Sequence, residues 1–483
     1  MTNKSLSKLR LAAGVASIVV SSLLSATAAQ AAAEIVIVNG NDDGVGFNDP
    51  TPVAPVGGNT GTTLGEQRLI AFEAAAAKWG ATLNSTVQIR VLAGFLPLAC
   101  TATGAVLGSA GANFVHVNDP SFPKQNTLYP DALADKLSGV DQIPLTDEEF
   151  TWDITARFNV NLGQATCLAG SPFYLGLDNK HGASVDLVTV LLHEFGHGLG
   201  FQTFTNASTG AQLAGFPSIW DHFLLDNATG LLWRQMTNAQ RAASSISVTN
   251  LVWSGVNVTN NAPLVLAAPR LVVSGSAAGA TAGTHAVGTA GFGPPVGNTA
   301  LVTDIMPVSA QPVAGEGCNP FSAIDKLAAN GNIVLISRGV CGFVVKVKNA
   351  QNAGAVGVII ANNAAAQPPP GLGGGDGSIT IPTLSVTLED GNALRAATSK
   401  RSRTKSGVIG SMFLDHSAMA GTDPSGLVRM FAPNPFQSGS SVSHFDVSAY
   451  LNLLMEPNIN GDLTHEVTPP YDLTLPLLKD IGW

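Results

Sequence analysis

The chain has 483 residues, of which 45% are hydrophobic and only 12% charged. This is room for two or three domains that each bury a core, and the composition excludes a disordered polyelectrolyte. A formal net charge of −9 argues against a nucleic-acid partner.

At the N-terminus Lys4, Lys8 and Arg10 precede an apolar stretch from Leu11 to Leu24, followed by small residues ending in Ala29-Gln30-Ala31. This pattern is that of an export signal, residues 1–31, cleaved after Ala31. The apolar stretch is short and rich in Ser for a membrane span, and no second run of spanning length follows. The mature chain is therefore expected to be exported, secreted or periplasmic, with no stable membrane anchor. Its four cysteines, Cys100, Cys167, Cys318 and Cys341, are expected to form disulfides in an oxidising compartment. Three pairings are open. Cys100 with Cys167 and Cys318 with Cys341 would keep each bridge inside one domain.

A strand is expected over 34–38, then a Gly- and Pro-rich region to about Gly61, a helix near 66–79 and a strand over 87–93. Residues 129–137 read as a helix and 151–160 as an edge or mixed strand. Within the first turn region, Asp42, Asp43 and Asp49 offer oxygen ligands suited to Ca²⁺, although turn chemistry explains them equally.

The most informative run is His193-Glu194-Phe195-Gly196-His197. With 9 His and 10 Glu in the chain, an accidental H-E-x-x-H is expected about 0.003 times. On a helix over 184–199, four positions are nearly one turn, so both imidazoles face one way and can share Zn²⁺, with Glu194 beside them as general base. Ser184 is placed to cap this helix. Leu187, Val188, Leu191, Leu192 and Phe195 share an apolar arc that excludes the histidines, and Gly196, Gly198 and Gly200 punctuate the end.

Between residues 260 and 410 the composition shifts to Ala, Gly, Val and Ser, with loops at Pro368-Pro369-Pro370-Gly371 and Gly373-Gly374-Gly375. The run Ile333 to Phe343, with Arg338-Gly339-Val340-Cys341-Gly342-Phe343 inside it, then Asn349-Ala350, Ala353-Gly354-Ala355 and Gly357 to Ile360, resembles the protease-associated (PA) domain. That resemblance implies an accessory α/β module concerned with substrate gating or partner contact. Buried strands at 334–336 and 358–360 flanking a helix over 344–353 fit it.

A catalytic zinc needs three protein ligands and one open position. In the short metzincin pattern the glycine is Gly200, but the position of the third histidine holds Thr203. A replacement lies in Ser441-Val442-Ser443-His444-Phe445-Asp446, followed by Leu453-Leu454-Met455-Glu456-Pro457. These segments, with the helix, resemble leishmanolysin-type metzincins, in which a long insertion precedes the third histidine and a methionine turn. The resemblance implies His193, His197 and His444 as metal ligands, Glu194 as catalytic base and Met455 as the turn residue. Phe445 and Asp446 stand where Trp and Glu are common. No propeptide is evident, so cysteine-based latency is not expected.

Asp221 and His222 are rival ligands, nearer in sequence. His116, His181, His285, His416 and His465 have no motif context, and no G-x-S-x-G occurs to support a serine peptidase. The expectation is an α+β chain: a metzincin-like catalytic domain, mixed sheet plus active-site helix, in two parts (32–259 and 411–483), interrupted by the PA insertion (260–410). Its expected activity is zinc-dependent endopeptidase cleavage of protein or peptide substrates. The alternative is a secreted binding or adhesion protein that uses the PA domain on an inactive scaffold.

Overall fold

The computed structural model describes residues 31–143, 151–309 and 315–483. All but the last residue of the expected leader therefore lies outside the described residues. No helix among the described residues is long and apolar enough to cross a membrane.

The first unit is built on strands β1 (Ile35–Asn39), β2 (Ile89–Leu96), β3 (Gly108–Ala112) and β4 (Ile154–Asn159), and on helices α1 (Leu64–Thr82), α2 (Asp131–Ser138) and α3 (Leu187–Gly198). The sheet order is β1-β2-β4-β3. β1, β2 and β4 run parallel, with Ile35 opposite Ile89 and Val91 opposite Ile154, while β3 is antiparallel to β4. The expected strand over 151–160 is thus internal, not an edge. Its alternation reflects a mixed environment, with Ile154, Ala156 and Phe158 fully buried.

α1 starts at a capping box in which Thr63 and Glu66 satisfy each other's backbone N–H groups. It lies against α3, and the Trp79 indole donates to the Leu192 carbonyl at 3.1 Å. Between these helices and the sheet, Phe72 sits 4.9 Å from Phe158 and 6.1 Å from Phe195, ring centre to ring centre. α2 begins two residues later than expected, because Tyr129–Pro130 pairs as a short strand with Val115–His116.

The second unit centres on an eight-stranded sheet. Leu301–Pro307, Ile333–Ser337, Gly357–Ala361 and Thr383–Val386 run parallel in its middle. Both faces are covered, one by a core containing Val334, Val347 and Ile360, the other by a core containing Leu335, Ile359 and Leu394. This two-sided burial explains the continuous apolar runs. The helix Phe343–Asn352 lies one residue from the expected span.

Where the chain leaves and rejoins the first unit, Ala268–Ser274 pairs antiparallel with Ile409–Asp415 over seven residues. The long excursion therefore begins and ends side by side. The helix Val256–Val265 still packs in the first core through Val258 and Ala262. After the return, the C-terminal helix Thr474–Ile481 packs into that same core, and Asp480 caps Val256–Val265 by accepting from the backbone of Asn257 at 2.7 Å and Val258 at 3.2 Å. Both disulfides favoured on domain grounds are present, Cys100–Cys167 and Cys318–Cys341, with Cα separations of 5.0 and 5.8 Å.

Candidate active site

α3 is capped by Asp186, whose carboxylate accepts from the Thr189 N–H at 2.7 Å. This corrects the expected Ser184 cap: residues 185–186 are held extended against Phe173–Tyr174, so the helix cannot start earlier. Gly196 and Gly198 are also not terminators. Gly196 lies inside α3 and Gly198 is its last residue; a methyl at Gly196 would sit 2.8 Å from the Met455 sulfur and one at Gly198 would sit 2.5 Å from Ile154, so both are small because of what packs against them. Gly200 alone ends the helix, at φ +116°, a conformation glycine adopts without strain.

His193 and His197 project from α3 into an open cleft of about 1050 Å³. His444 meets them from the far end of the chain. Its position is set by backbone pairing: Phe431 N–H donates to the His444 carbonyl at 2.9 Å, Val442 N–H to the Phe431 carbonyl at 2.7 Å and Phe445 N–H to the Met455 carbonyl at 2.8 Å. Buried Phe445 packs 5.1 Å from Phe201, just past α3, and Phe201 packs 4.8 Å from Trp220.

The three Nε2 atoms stand 3.2, 3.2 and 3.3 Å apart. Each ring's Nδ1 is bound to a carbonyl: Leu454 for His193 at 2.7 Å, Phe201 for His197 at 2.8 Å and Ser440 for His444 at 2.8 Å. Since only Nδ1–H can donate to a carbonyl, each Nε2 carries a lone pair, and the three lone pairs converge. Such a cluster calls for an electrophile. Three nitrogens bound tetrahedrally to zinc at about 2.05 Å would lie about 3.3 Å apart, which matches the observed spacing.

Burial pushes His193 down to about 4 and His197 to about 3, the latter also by repulsion from His193; burial also holds His444 well below its usual range. The imidazoles are thus neutral at physiological pH, the state a metal requires. Burial raises the Glu194 carboxyl to about 8, opposed by a hydrogen bond from the Ala110 N–H of β3. A divalent charge beside it would favour the carboxylate.

Met455 is fully buried against Gly196, below the histidines. Asp472, which the sequence reading missed, fixes this turn by accepting from Leu454 N–H at 2.7 Å and Thr474 N–H at 2.6 Å. A lone Asp without metal-ligand spacing gave no signal for it.

The rivals are engaged elsewhere. Asp221 accepts from Thr203 Oγ1 at 2.8 Å, Thr205 Oγ1 at 2.5 Å and Ser218 N–H at 3.1 Å, while His222 contacts Thr127 at 3.1 Å. Asp221 thereby shapes the loop after α3 that carries Thr203 and Thr205. His116, His285 and His465 pair with Asp131, Asp390 and Asp186. His181 and His416 contact the Ser184 carbonyl and Asn298. In the Asp42 to Asp49 loop, Asp49 pairs with Arg68 at 3.3 Å. Neither of the two ligand clusters found among the described residues lies in that loop.

Residues 299–394 match the family model described as the PA domain. The inserted block carries a PA domain. Over 79 residues the chain is 43% identical to a probable lipoprotein aminopeptidase, LpqL, of Mycobacterium tuberculosis, covering 16% of this chain and 16% of that protein. The chain thus matches about a sixth of that relative's length. Solved structures similar to it include BSAP, a zinc aminopeptidase from Bacillus subtilis, at 21% identity and TM-score 0.24 over 37% of this chain and 38% of that one. Another is an aminopeptidase from Aneurinibacillus sp. strain AM-1, at 17% identity and TM-score 0.21 over 41% and 42%. The PA domain of the present chain sits between the two segments that supply the histidines.

Proposed function

We propose that the chain is an exported zinc endopeptidase of leishmanolysin-like metzincin type, with His193, His197 and His444 as the metal ligands and Glu194 as the general base. The carrying observation is the convergence of three unprotonated Nε2 atoms at 3.2–3.3 Å beside one buried carboxylate. Zinc held by these three histidines would supply Lewis-acid chemistry, acidifying a water toward a pKa of about 7 and polarising the scissile carbonyl. Glu194 accepts the proton of the attacking water and returns it to the departing amine. Leu454, Phe201 and Ser440 carbonyls hold the three rings in the required tautomer and orientation. Residues 105–110, leading into and along edge strand β3, form one wall of the cleft, where an extended peptide can pair with backbone.

The similarity to aminopeptidases supports a second reading, removal of N-terminal residues. Endopeptidase cleavage is favoured by the cleft's charges. An α-ammonium group needs a free carboxylate near the metal, and among the described lining residues the carboxylates are Glu194 and Asp186. Asp186 meets His465 at 2.8 Å and Thr189 N–H at 2.7 Å, both through Oδ1, and its Oδ2 is sealed from solvent, so it presents no free oxygen to the cleft. The test compares N-terminally blocked peptides and casein with free aminoacyl anilides, with and without a chelator. Chelator-sensitive cleavage of blocked substrates is expected. Cleavage confined to free N-termini would select the aminopeptidase, and zinc-free, inert protein would select the binding role.

A further inference from the structure

His197 and His444 stand 247 residues apart in the chain, so their spacing depends on how the segment carrying His444 is fastened to the end of α3. A hydrogen bond joins the two segments there: Thr203 N–H donates to Ser443 Oγ at 3.2 Å. Ser443 directly precedes His444. Thr203 lies two residues after Phe201, whose carbonyl holds the His197 ring at 2.8 Å. Between them Gln202 donates from Nε2 to the His197 carbonyl at 3.0 Å, which folds residues 201–203 back over the last turn of α3.

The donor side of this bond is firmly held. Thr203 Oγ1 donates to Asp221 Oδ1 at 2.8 Å, accepts from Thr205 N–H at 3.1 Å and meets Ser218 Oγ at 3.1 Å. Asp221 and Ser218 are both fully buried. The acceptor side is strained. Val442, also fully buried, holds φ +76°, a left-handed conformation in which a β-branched side chain crowds its own backbone. Such a conformation persists only where neighbouring contacts over-determine it. Upstream, Val442 N–H donates to the Phe431 carbonyl at 2.7 Å and Gln437 N–H donates to Ser441 Oγ at 3.0 Å; downstream, Phe445 N–H donates to the Met455 carbonyl at 2.8 Å. Between these anchors the Ser443 hydroxyl supplies the hydrogen bond across to the loop after α3.

We propose that Ser443 is a positioning residue of the metal centre: by accepting from Thr203 N–H it holds the strained turn at Val442 in the form that aims His444 at His193 and His197. The inference rests on the three-histidine zinc reading. Ser443 does not ligate. It fixes the direction from which one ligand arrives, and a ligand a few tenths of an ångström out of place weakens the site. Losing the bond should therefore show in metal affinity and ligand geometry more than in global stability, because Val442 and Phe445 remain buried as anchors.

The test uses the full chain as wild type, Ser443→Ala and Ser443→Thr. Zinc affinity is read by competition with a zinc indicator, and ligand geometry by the visible spectrum of the cobalt(II)-substituted protein. Ser443→Ala should bind zinc about ten-fold more weakly and shift the cobalt bands. The melting temperature of its metal-free form should stay within about 2 °C of wild type. Ser443→Thr, which keeps the hydroxyl, should restore both readouts. Should Ser443→Ala misfold, Thr203→Val decides: it frees the donor loop from Asp221 and Ser218 and should weaken zinc in the same direction. Wild-type zinc affinity with an unaltered cobalt spectrum in Ser443→Ala overturns the inference, as does a loss of affinity that Ser443→Thr fails to restore. A wild-type chain that takes up no zinc contradicts the three-histidine centre itself, and this inference with it.

Discussion

Replacing Gly196 by alanine sets two physical effects of opposite sign against each other. Helix propensity favours alanine inside a helix by about 0.5–1 kcal/mol. Packing opposes it, because the new methyl would stand 2.8 Å from Met455 Sδ and 3.3 Å from its Cε. Methionine is flexible, but this one is fully enclosed. Overpacking of an enclosed core costs about 1–3 kcal/mol. The net expectation for Gly196→Ala is a loss of about 1 kcal/mol, within a span of about 0–2.5 kcal/mol, or roughly 2–4 °C in Tm for a unit of this size at the central value. The displacement also propagates: Met455 follows Leu454, whose carbonyl holds His193 at 2.7 Å. Zinc affinity should therefore fall together with stability, as second-shell disturbances commonly cost about 10–100-fold. Differential scanning calorimetry and competition with a zinc indicator read the two effects. A variant more stable than wild type with unaltered zinc affinity would refute the close packing of the methionine turn under the helix.

Glu194→Gln should keep one zinc per chain and lose about 10²–10⁴-fold in kcat, measured on a blocked fluorogenic peptide. Gly108→Ala should lower kcat at unchanged zinc content, since its methyl would press on Phe158 at 2.9 Å and Glu194 at 3.2 Å. Asp221→Asn should lower Tm by loosening Thr203, Thr205 and Ser218, yet retain zinc; loss of the metal would revive it as a ligand. Burial raises Glu456 from its ordinary 4.5 to about 9, so the folded state holds a proton that the unfolded chain releases between those values. Stability should accordingly fall as pH rises through that window, by at most about 1.4 kcal/mol per pH unit from this group. Glu456→Gln should flatten the slope in denaturant titrations between about pH 5 and 8.

The elements with strong local signals were legible before folding was considered. Apolar runs at 333–337 and 357–361 are strands because both faces of their sheet are covered. The pairing of His193 and His197 follows from helical spacing alone. His444 was found only through the family resemblance, since 247 residues separate it from His197 and no periodicity links them. Tertiary contacts hid the remainder. Gly196 and Gly198 look like punctuation until Met455 and Ile154 are seen against them. Asp186 replaces Ser184 as the cap because strand pairing holds the preceding residues extended.

Zinc content of purified His444→Ala, measured by mass spectrometry after dialysis and accompanied by a circular dichroism check of folding, bears most directly on the three-histidine centre. A folded variant that has lost its zinc, or holds it at least about ten-fold more weakly, is the expected result. A folded variant with one zinc at wild-type affinity would contradict it.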